Sequence, residues 1–423
     1  MFDSELEGMY HLPGNLWVET PGMAQPLSRA IKKLIILVIL LAMLAVSFFY
    51  LRRLNPWFLF DFIEYWSAGS LLLAHQNPYD PVALLAVQKT VGWTPAEALM
   101  MWNPPWIAPL IIPLAFFDYF SSRTLWFFLQ IAVLAYCATL LWRLYAGDRR
   151  SGRLVTIIAG ILTGSVFWML FYGQISFLIL LGVTGFLALI QRRTFKSDFF
   201  AGAFAVLIAI KPQVLYLFWP ALFLWTLSSR RWGALLGCLS AVCLSLLIGS
   251  AFYPNLLAGY ISSLQTMPLT VWYTPTIGFW LRVWLGFEHF WLQFLPLLPA
   301  LVWLLIYFWR KRQDWHWLSE MPLLILVSIA TSAYTWTHDQ VVFLVPLVFL
   351  AVAFQVARHK QAMVIFGGIW LVLNFLLLIS HFFVQDHYLA WLAPLLLIIY
   401  LIARWLIDRP AALNRQGTSL PAT

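Results

Sequence analysis

Long apolar runs separated by short polar or basic stretches dominate this chain of 423 residues. Thirteen such runs, bounded by charge, proline or glycine, start near residue 31 and end near residue 407. A helix of about 20 apolar residues crosses a bilayer, and several of these runs are shorter. The pattern predicts an all-α polytopic membrane protein with about 11–13 membrane segments.

Two interruptions of the apolar pattern predict broken or re-entrant helices. Pro104 and Pro105 begin one short run, and Lys211 with Pro212 separates two others. Non-helical backbone at membrane depth is tolerated only where protein or a cavity covers it.

Basic residues lie in clusters between the apolar runs, as is typical of the cytoplasmic ends of membrane spans. From Arg153 onward these clusters alternate consistently and place Gln174, Lys211 and His338 at the outer ends of their spans. Two full spans between residues 104 and 145 would instead put the cluster of Arg149, Arg150 and Arg153 outside. Either segment 104–118 does not cross, or one helix pair is misassigned.

These clusters also define the predicted domain organisation. We predict a disordered cytoplasmic tail over 1–28, one transmembrane domain over 29–409 and a cytoplasmic tail over 410–423. The two long outer loops cover about 51–103 and 252–289, and loops of this kind usually carry function. The predicted location is the cell (plasma) membrane.

Composition supports the membrane class and argues against a nucleic-acid-binding protein. Hydrophobic residues make up 62% of the chain and charged residues 10%. The formal net charge of +9 invites a nucleic-acid interpretation, but the basic clusters between apolar runs already account for it. We therefore predict no nucleic-acid partner.

Two carboxylates follow the first apolar run. Asp61 and Glu64 share one helix face in segment 61–75, which we interpret as an amphipathic interfacial helix with Phe62 and Trp66 available to lipid. In one reading Asp61 merely begins a solvated helix. In the other it is a general base for an acceptor hydroxyl, with a pKa raised by partial burial.

Four further polar positions have both a structural and a functional interpretation. Lys211 is either a snorkelling lysine or a clamp for one phosphate. Gln174 either satisfies a turn or contacts substrate, and His338 is either an interfacial residue or a ligand of phosphate or sugar hydroxyls. Arg282 offers a bidentate phosphate contact, with a surface role as the alternative.

Several short segments together resemble glycosyltransferase family 87, the polyprenol-phosphate-mannose-dependent transferases of the GT-C superfamily. They occur in the family's order over roughly residues 30–350. The matching segments are Asp61 to Gly69, Asn77 to Asp80, Asn103 to Pro105 with Pro113, Gly173 with Gln174, Gly202 with Ile210 to Pro212, and Trp336 to Asp339.

The resemblance implies a GT-C-type helical bundle with its active site on the extracytoplasmic face. It implies Asp61 as catalytic base, and Lys211 and His338 as contacts of the donor phosphate, to which we add Arg282. Family members often carry a basic or aromatic element near position 339, whereas this chain has Asp339, so the role of that position is open. The predicted substrate-binding residues are Glu64, Tyr65, Trp66, Tyr79, Asp80, Asn103, Gln174 and Trp336.

We therefore expect an inverting transferase that moves a hexose, mannose above all, from a polyprenyl-phosphate donor to a lipid-linked or glycan hydroxyl. The chain has no Asp-x-Asp sequence, the motif that commonly holds a divalent cation on a nucleotide diphosphate, so we predict neither metal nor cofactor. The alternative is a transporter or flippase of a lipid-linked sugar, which would be expected to show paired repeats. A third class is a non-catalytic membrane scaffold.

Overall fold

The computed structural model describes residues 59–266 and 269–408, which belong to one compact unit. Within these residues the regular structure consists of seventeen α-helices and seven 3₁₀ helices. The predicted all-α class is thereby confirmed. The predicted tails and the first apolar run, at about 31–50, lie outside the described residues, so the predicted domain limits stay predictions.

The helices follow one another closely along the chain. In order they are α1 (Phe62–Leu73), α2 (Pro81–Thr90), α3 (Ala108–Ile111), α4 (Tyr119–Ala146), α5 (Arg153–Ile161), α6 (Gly164–Tyr172), α7 (Ser176–Ile190), α8 (Phe195–Ala205), α9 (Phe218–Ser229), α10 (Gly233–Phe252), α11 (Leu256–Thr266), α12 (Ile277–Leu285), α13 (Leu297–Lys311), α14 (Trp317–Thr331), α15 (Leu344–Val356), α16 (Lys360–Ser380) and α17 (Leu392–Asp408).

Six helical stretches in the described residues are long and apolar enough to cross a membrane, so the chain is a multi-pass membrane protein. They are α4, α10, α16, Phe290–Lys311, Thr337–Val356 and Asp386–Asp408. Helices α5 and α6, bent by 51°, form a seventh if they count as one span. The number in the described residues is lower than the 11–13 segments predicted for the chain. Several apolar runs form short helices, among them α7 and α14, and the run at about 31–50 lies outside the described residues.

The segment that conflicted with the predicted topology is one of these short ones. Pro105–Phe116 consists of a 3₁₀ turn, the four residues of α3 and a second 3₁₀ turn. Prolines 105, 109 and 113 each remove a backbone donor, which explains why no continuous helix forms. Its 12 residues are too few for a straight crossing, which favours the interpretation that this segment does not span.

Helix α1 is buried, not exposed to lipid as its pattern had suggested. Phe62 has no exposed surface and packs against Tyr119 and Trp126 of α4, with ring centroids 6.0 and 5.6 Å apart. A Cβ at Gly69 would lie 2.5 Å from the carbonyl oxygen of Ile111, so this glycine allows the Pro105–Phe116 segment to lie directly on α1. The prediction of a lipid-facing Phe62 is wrong because these two elements cover the helix.

Candidate functional site

A cavity of about 610 Å³ lies where the start of α1, the end of α6 and several interhelical segments meet. Several polar and charged side chains line it, which is the usual character of a ligand site. Those side chains are Asp61, Glu64, Asn103, Gln174, Lys211, Gln213, His338 and Asp386. The structure thus brings Asp61, Lys211 and His338, which are distant in sequence, to one cavity.

The turn after α6 sets the positions of Asp61 and Gln174. Gly173 ends α6 with φ 75°, a left-handed conformation that a glycine adopts without strain. The backbone N–H of Asp61 donates to the carbonyl of Tyr172 at 2.9 Å. From α4, Trp126 donates to the Gly173 carbonyl and Gln130 to the Gln174 carbonyl, both at 2.8 Å, so the turn is fixed from a second side.

The Gln174 side chain links the Asp61 carboxylate to the Lys211 ammonium group. Its amide nitrogen donates to a carboxylate oxygen of Asp61. Its amide oxygen accepts from Lys211 Nζ at 2.9 Å and from the Tyr65 hydroxyl at 3.3 Å. Because each end of the amide has a partner of matching polarity, one orientation of the side chain is selected.

Asp339 is the counterion of Lys211. This pairing gives position 339 the role that the sequence left open. Lys211 Nζ lies 2.8 Å from Asp339 Oδ1 and 3.3 Å from Ser176 Oγ. The Ser176 hydroxyl donates to the same carboxylate oxygen at 2.5 Å, and the backbone N–H of Trp336 donates to the other at 3.0 Å. Asp339 has no exposed surface, while 11% of the Lys211 side chain stays accessible.

The two carboxyls of α1 differ in protonation. Burial raises the pKa of Asp61 to about 6, although the hydrogen bond from Gln174 and the charge of Lys211 limit the rise. Burial, together with the neighbouring Asp61, raises the pKa of Glu64 to about 8. At neutral pH the Asp61 carboxyl is therefore mostly ionised and the Glu64 carboxyl mostly protonated.

His338 presents an unpartnered nitrogen. The side chain is buried, and its Nε2 lies 3.7 Å from Asp339 Oδ1, beyond hydrogen-bond range. Nε2 has no hydrogen-bond partner among the described residues. The ring lies parallel to Trp336, with centroids 6.1 Å apart and an interplanar angle of 6°. Because His338 lines the cavity, this nitrogen is a candidate contact for a bound ligand.

Three indole rings form an aromatic wall on the same cavity. Trp102, Trp272 and Trp336 follow one another edge to face, with centroid distances of 5.1 and 5.3 Å. At one end of this indole wall, Asn103 donates to the Ile210 carbonyl at 3.1 Å, next to Lys211. The wall therefore extends from the lysine segment to the histidine segment.

Four residues predicted to bind substrate have local structural roles instead of lining the cavity. Trp66 donates to the Phe117 carbonyl at 3.1 Å. Tyr79 is buried and donates to the Asn103 carbonyl at 3.0 Å. Asp80 caps α2 through the backbone N–H groups of residues 82 and 83, and Tyr65 contacts Gln174 from behind the cavity. Glu64, Asn103, Gln174 and Trp336 do line it.

Arg282 does not reach the cavity either. Its guanidinium donates to the Thr270 carbonyl at 2.8 Å, to the Phe287 carbonyl at 2.9 Å and to Gln293 Oε1 at 3.3 Å. The side chain is 1% exposed and stacks over Phe287 at 4.2 Å. Since its donors serve its own loop, neither the predicted phosphate contact nor the alternative surface role fits.

Sequence reasoning missed several residues of the site, among them Trp102, Ser176, Gln213, Trp272, Asp386 and, as a counterion, Asp339. The position of Ser176 two residues after Gln174 was the one local signal. Among the described residues no cluster of three or more His, Cys, Asp or Glu is arranged to hold a metal ion.

The comparison with known families gives one match. The model of glycosyltransferase family 87 matches residues 102–333, more than half of the chain, which confirms the resemblance found in the sequence. The matched range contains Gln174 and Lys211, whereas Asp61 and His338 lie on either side of it. No curated protein and no solved structure matches the chain significantly.

Proposed function

Because the chain belongs to glycosyltransferase family 87, we propose that it transfers a hexose, most simply mannose, from a polyprenyl-phosphate donor to a hydroxyl group of a lipid-linked or glycan acceptor. Family membership makes the protein a membrane glycosyltransferase. The donor, the sugar and the mechanism are our proposal. The observation that carries it is the meeting of one ionised carboxylate, one ammonium and one unpartnered imidazole at a single cavity.

Asp61 is the proposed general base. The acceptor oxygen attacks the anomeric carbon while Asp61 takes the hydroxyl proton, and the bond from the anomeric carbon to the phosphate oxygen breaks. The polyprenyl phosphate leaves with the electrons of that bond, and a single displacement inverts the anomeric centre. A pKa of about 6 suits this role, since a base works best when its pKa lies near the operating pH.

Lys211 and His338 are the proposed contacts of the donor phosphate. Lys211 is the single lysine or arginine among the described residues that line the cavity, which fits a monophosphate better than a diphosphate. Asp339 and Gln174 hold the ammonium in place through bonds of 2.8 and 2.9 Å. His338 Nε2 supplies a second, neutral or charged, contact for a phosphate oxygen.

The indole wall is the proposed platform for a sugar ring. A pyranose has hydroxyl groups on its edge and C–H groups on its faces, and the negative face of an indole attracts the C–H groups. Partly exposed tryptophans at 102, 272 and 336 present such faces to the cavity. Glu64, protonated at neutral pH, can donate a hydrogen bond to a sugar hydroxyl.

The site is proposed to open to the outer face of the membrane. The basic clusters that predict the cytoplasmic side lie at the opposite ends of the spans that carry Gln174 and His338. A polyprenyl-phosphate donor would present its headgroup at that surface while its tail stays in the bilayer.

The test is a transfer assay with purified protein in liposomes, given radiolabelled polyprenyl-phosphate mannose or GDP-mannose and an extract of membrane glycolipids as acceptor. We expect labelled product from the lipid donor alone, with the Asp61→Asn protein as the inactive control. Transfer from GDP-mannose would contradict the proposed donor. Movement of the labelled lipid across the bilayer without a change in its mass would support the flippase alternative instead.

A further inference from the structure

A carboxylate from the C-terminal part of the chain lies on the cavity wall and bonds to the segment that carries His338. Asp386 precedes α17 and lines the cavity. Its Oδ1 accepts from the Thr337 hydroxyl at 2.6 Å, and its Oδ2 accepts from the Thr337 backbone N–H at 3.3 Å. Asp386 therefore accepts hydrogen bonds from both the side chain and the backbone of Thr337.

His381, at the end of α16, completes this cluster. Its Nε2 lies 3.0 Å from Asp386 Oδ1, and its Nδ1 lies 3.1 Å from the Leu377 carbonyl. Nε2 also lies 2.9 Å from Thr337 Oγ1, so the ring of His381 contacts both partners of the Asp386–Thr337 hydrogen bond. The imidazole ring stacks on Trp168, with ring centroids 4.5 Å apart.

Thr337 begins the 3₁₀ segment Thr337–Phe343, whose next two residues belong to the site. His338 presents the unpartnered nitrogen, and Asp339 orients Lys211. A shift of the first turn would therefore move His338, which lines the cavity and faces the proposed donor phosphate. Displacements of about 1 Å at an active site are able to cost 10²-fold in rate.

We infer that Asp386 and His381 are positioning residues of the transfer reaction, which hold Thr337 and thereby set the place of His338 against the donor phosphate. The inference rests on the proposed function, because it assumes that His338 contacts that phosphate. It assigns a role to residues that lie beyond the range of the family match.

The experiment is a double-mutant cycle on the purified protein. For each variant, kcat and the KM values of donor and acceptor are measured by varying one substrate while the other is saturating. Asp386→Ala should lower kcat about 10- to 100-fold and raise the donor KM, while the acceptor KM stays within twofold. Asp386→Asn, which keeps an oxygen for the Thr337 hydroxyl, should restore part of the rate. In the His338→Gln background Asp386→Ala should cost less than threefold, because the group it positions is already gone.

Glu320→Gln is the control, since Glu320 is a hydrogen-bonded carboxylate, more buried than Asp386, that does not line the cavity. It should leave both KM values and kcat unchanged in the folded fraction. Losses that multiply in the His338→Gln background, or a fully active Asp386→Ala protein, would overturn the inference. If His338→Gln itself is fully active, the phosphate role of His338 is wrong, and the failure then lies in the proposed function.

Discussion

Buried charges occur in two regions of this protein, and they are satisfied differently. Away from the cavity, Asp198 pairs with Arg231, which also donates to the Ile190 carbonyl at 2.6 Å. Glu320 accepts from the Tyr307 hydroxyl at 2.5 Å and from Lys311 at 3.4 Å. At the cavity, His338 Nε2 has no described partner, and Lys211 lines the cavity beside its counterion.

This contrast shows that burial of a charge does not by itself identify a functional site in a membrane protein. A buried pair whose partners point at each other is a structural element. Buried groups that face a common cavity, with capacity left for a ligand, are candidates for chemistry. The substitutions below separate the two kinds of group, because one kind should affect transfer and the other stability.

Lys211→Met should have the largest effect on donor binding among these substitutions. Removing one partner of a buried charge pair costs about 2–5 kcal/mol, which corresponds to roughly 30-fold or more in donor affinity. The measurement is the donor KM, with Lys211→Arg as the variant that keeps the charge. A donor KM within twofold of wild type in a folded Lys211→Met protein would exclude the lysine from phosphate binding.

Arg231→Met should lower the stability of the protein and leave transfer unchanged. It leaves Asp198 buried without its cation and should destabilise the protein by about 3–5 kcal/mol. The kcat of the folded fraction should not change, because Arg231 does not line the cavity. Thermal unfolding in detergent measures the first quantity and active-site titration the second. A specific loss of kcat would show that the two regions are coupled.

Changes in pH should affect transfer through Asp61 and stability through Glu64, in opposite directions. Transfer needs ionised Asp61, so kcat/KM should rise about tenfold from pH 5 to pH 7 around a pKa of about 6. The contribution of Glu64 to stability decreases as pH rises. The native Glu64 carboxyl, with its pKa raised to about 8, keeps its proton where the unfolded carboxyl loses it, so its contribution to stability falls between about pH 4.5 and 8.

Glu64→Gln removes this titration and is the control for it. Relative to wild type, the unfolding temperature of the variant should increase as pH rises from 5 to 8. A constant difference between the two proteins over that range would mean that the pKa of Glu64 is not raised.

Trp272→Ala should have the smallest effect. Loss of one aromatic face is worth about 0.5–1.5 kcal/mol, or roughly 2- to 12-fold in the KM of whichever substrate carries the stacked sugar. Trp272→Phe should keep most of the affinity. Separate titrations of donor and acceptor show which sugar is involved, and no change in either KM would remove the indole wall from substrate binding.

The helical membrane class was predictable because hydropathy and basic clusters are local properties of the chain. The outer-end assignment of Gln174, Lys211 and His338 also agrees with their common cavity. Tyr79, Asp80 and Arg282 do not line it, because nearby backbone groups already use their polar atoms. Those partners are visible only once the loops are folded.

The pairing of Lys211 with Asp339 was not predictable, since 128 positions separate the two residues. The aromatic wall likewise joins tryptophans from three separate segments. The burial of α1 depends on how the Pro105–Phe116 segment covers it, and a pattern of apolar positions does not distinguish a lipid surface from a protein one. Sequence therefore identified the polar groups more readily than their partners.

The central claim is that Asp61 is the base of the transfer reaction, and the direct measurement compares Asp61→Asn with Glu64→Gln in single-turnover transfer at pH 7. Asp61→Asn removes the ionised carboxylate and should slow transfer about 10²- to 10⁴-fold. Glu64→Gln replaces a carboxyl that is already mostly protonated, and it should cost less than tenfold in the same assay. Near-normal transfer by a folded Asp61→Asn protein, or a larger loss from Glu64→Gln, would contradict the account.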